Sequence, residues 1–137
     1  MKYLPTHFVI QELVPPKVYE ARGEKGWYLF DERILMTIDL LRERYGQATI
    51  NNWHIGGNRE WSGLRTCDSP YYSPYSQHAF GRAVDVVFKD ANAEYIRQEI
   101  INKPSLPAFK YITAIELGTS WLHVDCRCVE PVFKFTP

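Results

Sequence analysis

Apolar residues recur at helical spacing in FDERILMTIDLLRERYG, where Ile34, Ile38 and Leu41 form one stripe. Asp31 stands at the N-cap position and Gly46 at the stop, so the pattern predicts a helix between them. PPKVYEARG predicts a shorter helix, with Pro16 in its first turn and Gly23 ending it. NAEYIRQEIINK predicts a third, capped by Asn92 or Asp90, with Ile96 and Ile100 pointing inward. Strands are expected in ATINNWHI, AFGRAVDVVF, KYITAIEL and SWLHVDCRCV, the last two separated at Gly118. Between the first two strands lies GGNREWSGLRTCDSPYYSPYSQ, a loop long enough to suggest function rather than connection. Helices come first and most strands follow with short connections. This order predicts one α+β domain over residues 1–137, with a mainly antiparallel sheet and helices on one side.

One position breaks the apolar pattern. Asp85 sits among Ala83, Val84, Val86 and Val87, where a carboxylate is costly unless its charge is compensated. Period-two alternation places Ala83, Asp85 and Val87 on one face of their strand. In SWLHVDCRCV it places Trp121, His123 and Asp125 on one face and Leu122, Val124, Cys126 and Cys128 on the other. If the two strands pair, Asp85 and His123 share a face, and His78, just before its strand, can curl back toward them. Two histidines and a carboxylate make a three-ligand zinc set with a fourth position left for water. The plainer alternative is an Asp85 that hydrogen-bonds backbone or an arginine, with Arg82 adjacent in sequence.

Composition narrows the function classes. Sixteen basic and sixteen acidic residues cancel, which leaves no electrostatic footprint for nucleic acid or an anionic membrane. The N-terminal stretch MKYLPTHFVIQELVPP has no uninterrupted apolar run, so the chain is expected to be made in the cytoplasm without a signal peptide. Cys67, Cys126 and Cys128 are an odd number and form no disulfide framework. They read as small buried apolar residues, or alternatively as three soft metal ligands.

Three motifs in order carry a resemblance. Ser76, His78, Gly81, Ala83 and Asp85 spell S-x-H-x-x-G-x-A-x-D, which resembles the signature of zinc D-alanyl-D-alanine carboxypeptidases and dipeptidases. That group extends to phage cell-wall endopeptidases and to the zinc fold of hedgehog signalling domains. The run from Trp121 to Asp125 resembles the family's strand with a terminal His ligand, and Ser62-Gly63-Leu64-Arg65 resembles its S-G-x-R. ELVPP, the Asp31 helix and NNWHIGG resemble the short version found in phage and prophage genes. The resemblance implies that His78, Asp85 and His123 bind one zinc ion per chain, and that Arg65 binds the substrate carboxylate or the developing oxyanion.

The general base departs from the family pattern. Ser120 and Trp121 occupy the positions where many relatives carry an acid or a second histidine, and neither takes a proton at neutral pH. Glu116, at the end of the preceding strand, is the preferred base. Asp125 is the alternative, or else the residue that orients His123. His54 reads as a hydrogen-bonding residue at the cleft rim rather than a fourth ligand. Ser76 and Tyr75 are expected at the substrate, and Tyr71, Tyr72 and Tyr75 either line its groove or pack on the sheet. The implied activity is a zinc metallopeptidase, a monomer that cuts the peptidoglycan stem peptide and reaches the cell wall after release, phage or prophage encoded. The rival is a non-catalytic, zinc-stabilised phage structural or wall-binding module.

Overall fold

The three expected helices form in the computed structural model, which describes residues 2–137. They are α1 (Pro16–Arg22), α2 (Glu32–Tyr45) and α3 (Ala93–Asn102). Asp31 caps α2 by accepting the Arg33 amide at 2.9 Å, and Asn92, not Asp90, caps α3 by accepting the Tyr95 amide at 2.8 Å. Gly23 and Gly46 end α1 and α2 at φ 53° and 87°, a region where a Cβ is strained.

Five strands build one sheet: β1 (Ala48–Thr49), β2 (Ala83–Phe88), β3 (Ala114–Glu116), β4 (Leu122–Asp125) and β5 (Phe133–Phe135), in the order β1-β2-β4-β3-β5. The first three pairings along that order are antiparallel, but β5 runs parallel to β3. The sheet is therefore mainly antiparallel, as expected, with one parallel pairing at its β5 edge that makes it mixed. The sequence reading missed β5 because Phe133-Lys134-Phe135 is too short to show a period. Its partner is β3, reached by passing over the end of the sheet, and not the strand before it.

The two central strands decide the layering. Val84, Val86, Leu122, Val124 and Ile115 point to one face and join Ile34, Leu35, Ile38 and Leu41 of α2 and Ile96 and Ile100 of α3 in the core. At roughly 25 cal/mol per Å² of apolar surface, this burial is the main term holding the helices to the sheet. The other face carries Asp85, His123, Asp125 and Glu116. A layer with an apolar core behind it and polar groups in front is a rigid platform for chemistry.

Two expectations need correction. ATINNWHI is a strand only at Ala48–Thr49, and Trp53–Ile55 form a 3-10 turn. The polar side chains there hold loops instead of extending the sheet: Asn51 Nδ2 donates to the Val14 carbonyl, Asn51 Oδ1 accepts from the Ser62 amide, and Asn52 Oδ1 accepts from the Arg59 amide. Of the cysteines only Cys126 is buried, one residue past β4, where its amide still donates to the Arg82 carbonyl at 3.1 Å; Cys67 and Cys128 are exposed.

Candidate functional site

Asp85 lies directly across from His123 in the β2–β4 register, with Asp85 Oδ1 2.9 Å from His123 Nδ1. His78 reaches the same point from a 3-10 turn, Gln77–Phe80, where the sequence pattern predicts loop and strand. Ser76 Oγ caps this turn by accepting the His78 amide at 3.2 Å, so its part is to shape the approach of His78. Gly81, at φ 66°, turns the chain into β2, and a Cβ there would meet the Leu29 carbonyl oxygen at 2.1 Å. Only glycine satisfies both demands. His78 Nε2 then stands 3.3 Å from His123 Nδ1 and 3.3 Å from Asp85 Oδ1. The three residues are buried, and together they could hold a metal ion.

Each histidine is turned by a bond on its far side. His78 Nδ1 is 2.9 Å from the Gly63 carbonyl, which can only accept, so Nδ1 carries the proton and Nε2 keeps a lone pair. His123 Nε2 is 2.8 Å from Asp125 Oδ2, which leaves Nδ1 toward His78 and Asp85. This is how outer partners aim imidazoles at a metal. Burial lowers the pKa of His78, against the pull of Asp85. Burial also disfavours the charged form of His123, but hydrogen bonds to Asp125 and Asp85 outweigh it and push the ring up to about 9. Burial alone would raise Asp85; bonds from His123 and His78 reverse this and hold it far below the usual carboxylate range.

The segment Ser62-Gly63-Leu64-Arg65 runs beside this group and braces it through Ser62, Gly63 and Arg65. The Ser62 carbonyl accepts the Asp85 amide at 2.8 Å, and the Leu64 amide donates to the Leu13 carbonyl at 2.9 Å. Gly63 lies so close to that carbonyl that a Cβ would meet it at 2.1 Å. The Arg65 amide donates to the His78 carbonyl. Arg65 Nη2 donates to Asp85 Oδ2 at 2.8 Å and Nε to the Trp61 carbonyl at 2.8 Å. The arginine paired with Asp85 is thus Arg65; its sequence neighbour Arg82 lies over Phe80 instead.

A cleft of about 710 Å³ opens over the trio and is lined by Arg65, Tyr71, Tyr75, Ser76, Glu116, Trp121, Arg127 and Phe135 among others. Glu116 Oε2 lies 3.9 Å from His123 Nδ1, on the side that faces His78 and Asp85. Asp125 lies on the opposite side of the His123 ring and is fully buried. His54 is not among the lining side chains: its ring packs on Trp53, and its Nδ1 is buried without a hydrogen-bond partner. Tyr72 does not line the cleft either, whereas Tyr71 lies 5.8 Å from the Arg65 guanidinium.

Arg127 belongs to the site although no motif singles it out. It grips Asp125 with two bonds, Nε to Oδ1 at 2.8 Å and Nη2 to Oδ2 at 2.6 Å, and stacks 4.6 Å from the Phe135 centroid. Alternation carried two residues past Asp125 would have placed it on the site face. Comparison with protein-family models, curated proteins and solved structures finds no match to this chain. No helix among the described residues is long and apolar enough to cross a membrane.

Proposed function

We propose that the chain is a zinc metallopeptidase of the hedgehog/D-Ala-D-Ala peptidase kind, hydrolysing a peptide bond of the peptidoglycan stem. The observation that carries this reading is the convergence of His78 Nε2, His123 Nδ1 and Asp85 Oδ1, separated by 3.3, 3.3 and 2.9 Å, with both rings oriented from behind. Tetrahedral zinc with bonds of about 2.0 to 2.2 Å needs ligand edges of about 3.3 to 3.6 Å. The edges found are within a few tenths of an ångström of that, and two imidazoles with one carboxylate are a donor set suited to zinc. Zinc held there supplies Lewis acidity, lowering the pKa of a water from near 16 to about 7.

The remaining residues divide the work. Glu116, beside the trio and open to the cleft, takes the proton of the attacking water and hands it to the leaving amine nitrogen. Arg65 has Nη1 left for the substrate once Nε and Nη2 are engaged, and it donates to the carbonyl oxygen as negative charge grows there. Asp125 keeps His123 in the tautomer that presents Nδ1. Tyr71 and Tyr75, on the loop wall, flank the bound peptide.

Zinc-loaded protein incubated with purified peptidoglycan should release D-Ala or a cut stem peptide, read by mass spectrometry. Ser120 and Trp121, at positions that commonly carry an acid or histidine, favour the second reading, a zinc-stabilised module without turnover. An intact digest beside full zinc occupancy selects that second reading.

A further inference from the structure

We propose that, of the two arginines at the cleft, Arg127 is the one that receives a carboxylate of the substrate beside the scissile bond; this rests on the peptidase reading above. Both bonds from Arg127 go to one carboxylate, through Nε and Nη2. That arrangement occupies a single edge of the planar guanidinium. The Nη1–Nη2 edge, the one best shaped for a second bidentate carboxylate, remains open.

Arg127 is the main group that keeps Asp125 ionised, but that pairing uses only its Nε–Nη2 edge. Asp125 is fully buried and already accepts from His123 Nε2 at 2.8 Å, yet Arg127 keeps 25% of its side chain exposed and lines the cleft. Its face is fixed by Phe135, 4.6 Å away, and Phe135 also stands edge-on to His123 at 5.3 Å. The guanidinium is therefore immobilised on two sides before any ligand arrives. A receptor that is already ordered loses little entropy on binding.

Arg65 is differently placed. Its two bonds go to separate acceptors, the Trp61 carbonyl and Asp85, and it lies on the Asp85 side of the trio. Arg127 lies on the other side of the His123 ring, behind Asp125. A peptide whose scissile carbonyl lies at the trio beside Arg65 can thus set an acidic group against Arg127, one binding element on either side of the reacting bond. The acid is a chain terminus or a side chain, and the two are separable by experiment.

The test uses zinc-loaded full-length protein and two pairs of synthetic stem peptides. One pair ends in a free acid or an amide; the other carries glutamate or glutamine beside the scissile bond. Wild type should lose about tenfold or more in kcat/KM in one of the pairs when the acid becomes an amide, the scale of one charged hydrogen-bonded contact. The pair that responds identifies the source of the acid. Arg127→Lys should lose most of that preference with zinc content retained, whereas Arg65→Lys should lower rates on acid and amide alike. Equal rates on acid and amide in both pairs overturn the proposal and leave the peptidase reading standing. So does an undiminished preference in Arg127→Lys.

If Arg127→Lys loses zinc, Phe135→Leu takes its place, since it leaves the Asp125 pair in position. Losing the aromatic face should then reduce the preference about threefold, and an unchanged preference overturns the proposal. If no peptide is cut, the peptidase reading fails, and calorimetric affinities of the same peptides decide for Arg127 alone. Acid-selective binding that Arg127→Lys abolishes sustains the receptor; equal affinity for acid and amide removes it.

Discussion

Asp85 and His123 face each other across the β2–β4 pairing at 2.9 Å, held in register by the ladder itself and not by flexible loops. Two of the three candidate ligands therefore have backbones fixed by the same hydrogen bonds, and only His78 depends on a turn. The purified protein should hold one zinc per chain. His78→Ala, Asp85→Ala and His123→Ala should each remove most of it, because three protein ligands are the minimum for such a site. Elemental analysis checks this, and full zinc in any one variant removes that residue from the ligand set.

Glu116 and Asp125 should separate by phenotype. Glu116→Gln should keep zinc and fold and lose about 10²-fold or more in turnover, the usual scale of acid–base catalysis. Asp125→Asn should weaken zinc retention instead, since a second-partner loss to a ligating histidine costs about 10- to 100-fold in metal affinity. Rate and chelator competition measured on both variants make the comparison. An active Glu116→Gln beside a zinc-replete, inactive Asp125→Asn would exchange the two roles.

Arg65 has two jobs on this geometry, and its variants should reveal both. Arg65→Ala should lower turnover by about 10²-fold or more through loss of a donor to the reacting carbonyl. It should also loosen zinc, because Asp85 Oδ2 loses its 2.8 Å partner. Arg65→Lys should restore little of the rate, since an ammonium cannot bridge the Trp61 carbonyl and Asp85 as the planar fork does. Wild-type rates and zinc affinity in Arg65→Lys would reduce the residue to a generic positive charge.

The glycines predict a contrast in stability. Gly56 has open space around its missing Cβ and a left-handed backbone at φ 92° and ψ 4°, so Gly56→Ala should cost only about 1 kcal/mol of backbone strain. Gly63→Ala would drive a Cβ to 2.1 Å from the Leu13 carbonyl oxygen and displace the carbonyl that orients His78. It should cost about 3 kcal/mol and lower zinc retention with it. Denaturant titration and metal analysis of the two variants decide; equal stability would mean the loop yields freely at Gly63.

Much was legible because short-range rules governed it. Asp31, Ile34, Ile38, Leu41 and Gly46 announce α2 through capping and a 3.6-residue period, and Asn92 announces α3 in the same way. Alternation was enough to put Asp85 opposite Val84 and Val86, and His123 opposite Leu122 and Val124, on the non-core faces of their strands. It could not say that the strands are neighbours, in what register, or that His78 turns toward them. Those facts depend on pairing between residues far apart in the chain, whose energy no local pattern records.

The same limit explains each correction. β5 is three residues long and exists because β3 offers it an edge, and ATINNWHI gives up its strand because Asn51 and Asn52 find loop partners. Arg82 was the near arginine in sequence, but Arg65 is the near one in space. By itself the sequence determined the helices, the inner faces of the strands and the residue types able to hold a metal. Only the tertiary structure decided that three of those residues meet at one point, with Gly63 and Asp125 turning the rings, because convergence is a property of long-range packing and periodicity is not.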